Sequence, residues 1–202
     1  MNKNTQELLY QALETELGGE HVYMAAIRCA QNSELKKEWQ KYLEETQNHQ
    51  RIVLQVFDKL GLDANGETPG RAVVRHHGES LVQAMEMALK NAPAEAAELV
   101  AAECVVLAET KDHANWELIG KVAESLKGDE ARALKEAFSE VEEQEDMHLY
   151  HTMGWARELW IEVLGMPAVL PPPEEQKKVT TAIGASRAEQ ARDEMVGKKP
   201  KN

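Results

Sequence analysis

Two short phrases recur in this chain, Glu45-Thr46-Gln47-Asn48-His49 and Glu109-Thr110-Lys111-Asp112-His113, and each sets a carboxylate four residues before an imidazole. Residues four apart lie one above the other on a helix, so each phrase aims an oxygen and a nitrogen toward one neighbourhood. A third segment adds Glu142, Glu145 and His148 within two turns. Carboxylates with neutral imidazoles favour iron or manganese, because calcium prefers oxygen alone and structural zinc usually takes thiolate. A dinuclear iron centre of this kind would bind O2 or peroxide and oxidise Fe(II).

Such residues need helices to position them, and a chain filled with Ala, Leu, Glu, Gln and Lys supplies helices. The first is predicted from a cap at Asn4 or Thr5 to about Gln31, with Leu9, Ala12, Leu13, Glu16, Glu20, Tyr23 and Ile27 facing inward. Two acids interrupt that stripe. The second, about Ser33 to Leu60, carries Trp39, Tyr42, Thr46, His49, Val53 and Val56 on its seam, with Glu45 on the shoulder. Gly61 ends it, and the Gly-, Asn- and Asp-rich stretch 63–70 reads as a connection that continues past His76-His77 to a short helix at Glu79–Leu89.

A third long helix is predicted from Ala94 to Leu126, with Leu99, Ala102, Val106, Glu109, His113 and Trp116 inward. A fourth follows from Asp129 to Leu164, where Leu134, Phe138, Val141, Glu145, His148, Thr152 and Trp155 share a face. Residues 1–170 thus form a helical domain. Residues 171–202 read as a polar extension, with an apolar island at Val179–Gly184 and a short helix near Ala188–Met195.

The 202 residues include 23 Lys and Arg against 35 Asp and Glu, and the net charge of −12 argues against nucleic acid or an anionic membrane surface as partner. No apolar run approaches the roughly 20 residues of a membrane span, and no leader pattern opens the chain, so a cytoplasmic location is expected. Cys29 and Cys104 lie far apart in helical patterns and read as reduced core thiols.

Acids on a core stripe need a reason, since an unpaired ionised group in the core costs several kcal/mol or neutralises itself. Lys and Arg are few between Leu8 and Val56, and none lies on the stripes. A bound cation is the alternative. Dinuclear sites in four-helix bundles take one Glu from each of two helices and a Glu-x-x-His pair from each of the other two. Glu16 and Glu109 suit the single positions and Glu145-x-x-His148 has the paired spacing, but Thr46 stands three before His49.

The chain here resembles the ferritin-like superfamily and, within it, the YciF-type bacterial stress proteins. The resemblance rests on Tyr42-Leu43-Glu44-Glu45-Thr46 with Arg51 and Val56-Phe57, on Glu16 upstream, on Glu109 with Ala123-Glu124-Ser125-Leu126, and on the acidic segment Glu140 to Glu143. It covers roughly Thr5 to His151. It implies an antiparallel four-helix bundle whose metal centre draws on Glu16, Glu45 or Glu44, Glu109 and Glu142, and a role in stress response or iron handling. His49, His113 and His148 go beyond that match, and Glu142 and Glu145 compete for the bridging position. A homodimer is also implied by resemblance, with Trp160 and Ile161 as contacts. Two rival readings are a self-associating scaffold with a vestigial site and a di-iron hydroxylase acting on an organic substrate.

Overall fold

The computed structural model describes residues 1–166. Among these the chain is all-helical: α1 (Lys3–Cys29), α2 (Ser33–Leu60), α3 (Pro69–Asn91), α4 (Ala94–Ser125) and α5 (Gly128–Val163). The extension from residue 171, with Val179–Gly184 and Ala188–Met195, lies outside the described residues. No helix among the described residues is long and apolar enough to cross a membrane. Cys29 and Cys104 are buried free thiols.

Local chemistry sets the helix ends. Asn2, rather than Asn4 or Thr5, caps α1, its Oδ1 accepting from the Thr5 amide at 2.8 Å. Asn32 does the same for α2 from the amides of Glu34 and Leu35, while Gly61 closes that helix in the left-handed region at φ 65°. α1 stops at Cys29, and the loop that follows is held by Glu98 of α4. One Glu98 oxygen accepts from the amides of Gln31 and Asn32 at 2.7 and 2.6 Å.

The largest departure from the sequence reading is α3. It begins at Pro69, not Glu79, and takes in Gly70, His76 and His77, which the sequence leaves in a connection. Thr68 caps it through the Arg71 amide at 3.1 Å, and Pro69 fits the first helical turn, where its missing N–H is no loss. Its glycines are for contact rather than for turning. A Cβ on Gly78 would stand 3.5 Å from the Gly18 backbone of α1, and one on Gly70 would collide with Glu7 and Gln11.

α1 packs on α2, α3 and α4, and α5 packs on α2 and α4, so α1, α2, α5 and α4 close a ring while α3 covers the α1/α4 seam. The interior holds two apolar clusters. One gathers Val22, Tyr23, Ala26, Leu35, Trp39, Tyr42, Met85, Ala102 and Val105; the other gathers Leu9, Leu13, Val53, Phe57, Trp116, Ile119, Leu134 and Val141. Each large side chain so buried contributes about 1.5–3 kcal/mol. α1 and α5 run from the second cluster toward the first, and α2 and α4 run the other way, so ring neighbours are antiparallel. Where each helix passes from one cluster to the other, the inward residues turn polar.

Candidate metal centre

In that polar layer each ring helix turns a pair of residues three apart toward the interior. The pairs are Glu16 and Gly19 on α1, Thr46 and His49 on α2, Glu109 and Asp112 on α4, and Glu145 and His148 on α5, all buried. Three apart is the spacing that stacks two side chains on one helix face. Gly19 leaves room for its neighbour, since a Cβ there would stand 3.3 Å from the Thr46 methyl. Four carboxylates, from three glutamates and one aspartate, and two imidazoles therefore share one depth.

The two histidines present the same atom inward. His49 Nε2 donates to Gln144 Oε1 at 2.7 Å, and His148 Nε2 donates to Glu45 Oε2 at 3.0 Å. Both acceptors are oxygens, so each ring carries its proton on Nε2 and turns Nδ1 to the layer. His49 Nδ1 comes within 2.9 Å of Glu145 Oε1 and 3.7 Å of Glu16 Oε1; His148 Nδ1 is 3.6 Å from both Glu109 Oε2 and Glu145 Oε1. None of these contacts has the alignment of a hydrogen bond. Both Nδ1 atoms, both Glu145 oxygens, Glu16 Oε2, Glu109 Oε2 and Asp112 Oδ1 are buried without a hydrogen-bond partner among the described residues. Buried polar atoms are almost always paired, so this concentration of orphans is a set of donors that an added positive charge would satisfy.

Donor atoms of His49, Glu145 and His148 all lie within 4.8 Å of one another, and so do those of Glu16, Asp112 and Glu145. Glu145 belongs to both groups. Glu16 is aimed by Trp116, whose indole N–H donates to Oε1 at 2.7 Å. Tyr23, Tyr42 and Trp116 wall the layer, with the Tyr42 ring 4.3 Å from that of His148.

Proton affinities follow from this crowding. Burial, reinforced by Glu145 and Glu109, pushes the Glu16 carboxyl up to about 8 despite His49 and Trp116. Burial works against charging His49, yet the Glu145 and Glu16 carboxylates raise it to about 9. His148, likewise opposed by burial, is raised to about 10 by Glu109, Glu45 and Glu145. Burial among Glu16, Glu145 and Glu109 holds Asp112 well above the usual carboxylate range. Protons supply the positive charge when nothing else does, and a cation that binds must displace them.

The residues singled out by sequence fall into two sets. Glu16, His49, Glu109, Glu145 and His148 are brought together. Glu45 stands behind His148 as its acceptor, and is held below the usual range by His148 and Lys41 against its burial. His113 turns to Asp146, with Nε2 and Oδ1 2.9 Å apart, and Glu142 is exposed at the surface of α5. Asp112 is the residue that sequence reasoning passed over. The repeated phrase conceals it, because the two copies sit on their helices one residue out of step: the first buries its second and fifth residues, the second its first, fourth and fifth. Gln144, inside a run of acids, is half-buried and accepts from His49. Comparison with known proteins finds no matching family model, curated sequence or solved structure.

Proposed function

We propose that the polar layer is a two-cation carboxylate centre in a ferritin-like four-helix bundle formed by α1, α2, α4 and α5, and that it handles iron or manganese. The observation that carries this reading is the set of orphaned atoms: both histidine Nδ1 atoms, both Glu145 oxygens and one oxygen each of Glu16, Glu109 and Asp112 are buried without a hydrogen-bond partner among the described residues, while both Nε2 atoms are held from behind. His49, His148 and Glu145 would hold one ion, and Glu16, Asp112 and Glu145 the other, with Glu109 beside His148. Asp112 then takes the part of the carboxylate that α2 lacks at Thr46.

When bound, iron or manganese in such a donor set supplies one-electron redox chemistry toward O2 or peroxide. The chain's own part is positional. Gln144 and Glu45 fix the imidazole tautomers, Trp116 fixes Glu16, and Tyr23, Trp116 and Tyr42 keep bulk water out. His49, His148 and Glu16 release their protons as the cations arrive.

Anaerobic loading of the purified chain with Fe(II) or Mn(II), followed by elemental analysis, should give two ions per chain. Glu145→Gln should retain neither, and Asp112→Asn one. Wild-type protein that retains no transition metal removes this reading. One feature favours the scaffold alternative: the protonated imidazoles already offset part of the acid charge. That alternative requires Glu16→Ala and Glu109→Ala to leave metal content unchanged at zero.

A further inference from the structure

The α4/α5 seam carries a cavity of about 380 Å3. Its rim holds Glu117, Glu124 and Glu142, all exposed, and its inner wall holds the buried Asp146. Glu145 lines the innermost part, about 1 % exposed and with neither oxygen hydrogen-bonded among the described residues. The basic side chains there are Lys121 at the rim and His113, which Asp146 already engages. Carboxylates thus line this cavity both at its exposed rim and at its buried inner wall, where Glu145 belongs to the polar layer as well. Burial and the neighbouring Asp146 and Glu117 raise the Glu142 carboxyl, against the opposing pull of His113 and Lys121.

The cavities on the α1/α3 side differ. They are lined by Arg28, Arg75, His21 and Lys111 beside their acids, and Glu14 there is already paired. A cleft of one sign with apolar walls focuses its field and raises both the local concentration and the arrival rate of counter-ions. Phe138, lying over Gly120, and Trp116 supply apolar wall on the α4/α5 side.

We infer that the α4/α5 groove is the route by which divalent cations reach the centre: Glu117 and Glu142 gather them at the mouth, and Asp146 passes them to Glu145. This rests on the metal-centre reading and assigns Glu142 a place on the path rather than in the ligand set.

The test is the rate of Co(II) uptake by the full apo-chain, followed by stopped-flow through the visible absorption that appears on binding. The double variant Glu117→Gln/Glu142→Gln should slow the bimolecular phase about tenfold at low salt and leave its final amplitude and spectrum unchanged. Added salt should shrink the difference, and Lys121→Glu should speed uptake. Glu79→Gln/Glu95→Gln removes the same charge away from the groove and should leave the rate at the wild-type value. Equal slowing by that control, or no slowing by Glu117→Gln/Glu142→Gln, overturns the route while the centre stands. A lowered amplitude in Glu117→Gln/Glu142→Gln also overturns it, by making a rim residue a ligand. Wild-type protein that takes up no Co(II), Fe(II) or Mn(II) removes the centre and the route together.

Discussion

Glu14 and Glu16 stand two residues apart on α1, both buried, and the protein treats them in opposite ways. Glu14 faces α3, where Arg71 Nε donates to Oε2 at 2.6 Å and Arg75 Nε to Oε1 at 2.7 Å. Burial works against that carboxylate, but the two guanidiniums hold it below its ordinary range. Glu16 faces the ring interior and meets one indole N–H, one imidazole and other acids. Its affinity for a proton moves the other way. The difference separates a carboxylate that serves the fold from one whose arrangement is unfinished without an added charge.

Breaking the finished side should do the most damage. Arg71→Ala strips a buried guanidinium that also donates to the carbonyls of Ala64 and Gly66, and should lower stability by about 3–5 kcal/mol in urea denaturation. A loss under about 1 kcal/mol would erase the contrast.

The unfinished side should show itself in pH. Glu16, His49 and His148 bind protons more tightly folded than unfolded, so folding is favoured while the native state holds the extra protons. The Glu16 contribution is present below its unfolded value near 4.5 and fades as pH rises toward 8. Those of the imidazoles are complete below about 6.5 and fade through about 9 and 10. The apo-chain should therefore lose at least about 2 kcal/mol between pH 6.5 and 10, and metal loading should flatten the curve. A flat apo curve over that window would contradict the pairing described.

A smaller effect is expected one step out from the centre. Glu45→Gln leaves His148 in place with a poorer acceptor and should weaken Mn(II) binding about 10–100-fold by competition with a chelator. Unchanged affinity would mean that Glu45 serves only Lys41. Smallest of all, Glu16→Gln should leave apo stability at pH 8 within about 1 kcal/mol of wild type, or above it, since no partner loses its bond apart from the Trp116 N–H. Glu14→Gln should cost more than Glu16→Gln. The reverse order would invert the comparison.

Much of the fold is legible in the sequence because long amphipathic periods with Asn, Gly and Pro at their ends carry their own boundaries. α2 and α4 begin where the pattern begins, and Gly61 stops the chain where expected. Only the second half of α3 is legible, since Gly70 and Gly78 look like loop residues until α1 is known to lie against them. Glu14 stays hidden for the same reason, because its arginines come from that helix. In the polar layer, spacing alone places Glu16, His49, Glu109, Glu145 and His148 at one depth. It cannot tell which of Glu109, Asp112 and His113 turns inward, because a one-residue change of register rotates a helix by about 100°.

The two apolar clusters on either side of the polar layer bear on how the protein comes apart. All four ring helices cross the layer, and neither cluster reaches through it, so side-chain packing joins the halves only through what sits between them. With the layer neutralised they should melt as one body. With its charges unbalanced, the end around Phe57 and Leu134, whose cluster contains no α3 residue where the other holds Met85, should loosen first. The polar layer would then set how cooperatively the two ends unfold, and amide exchange at the two ends of α2 would register its state.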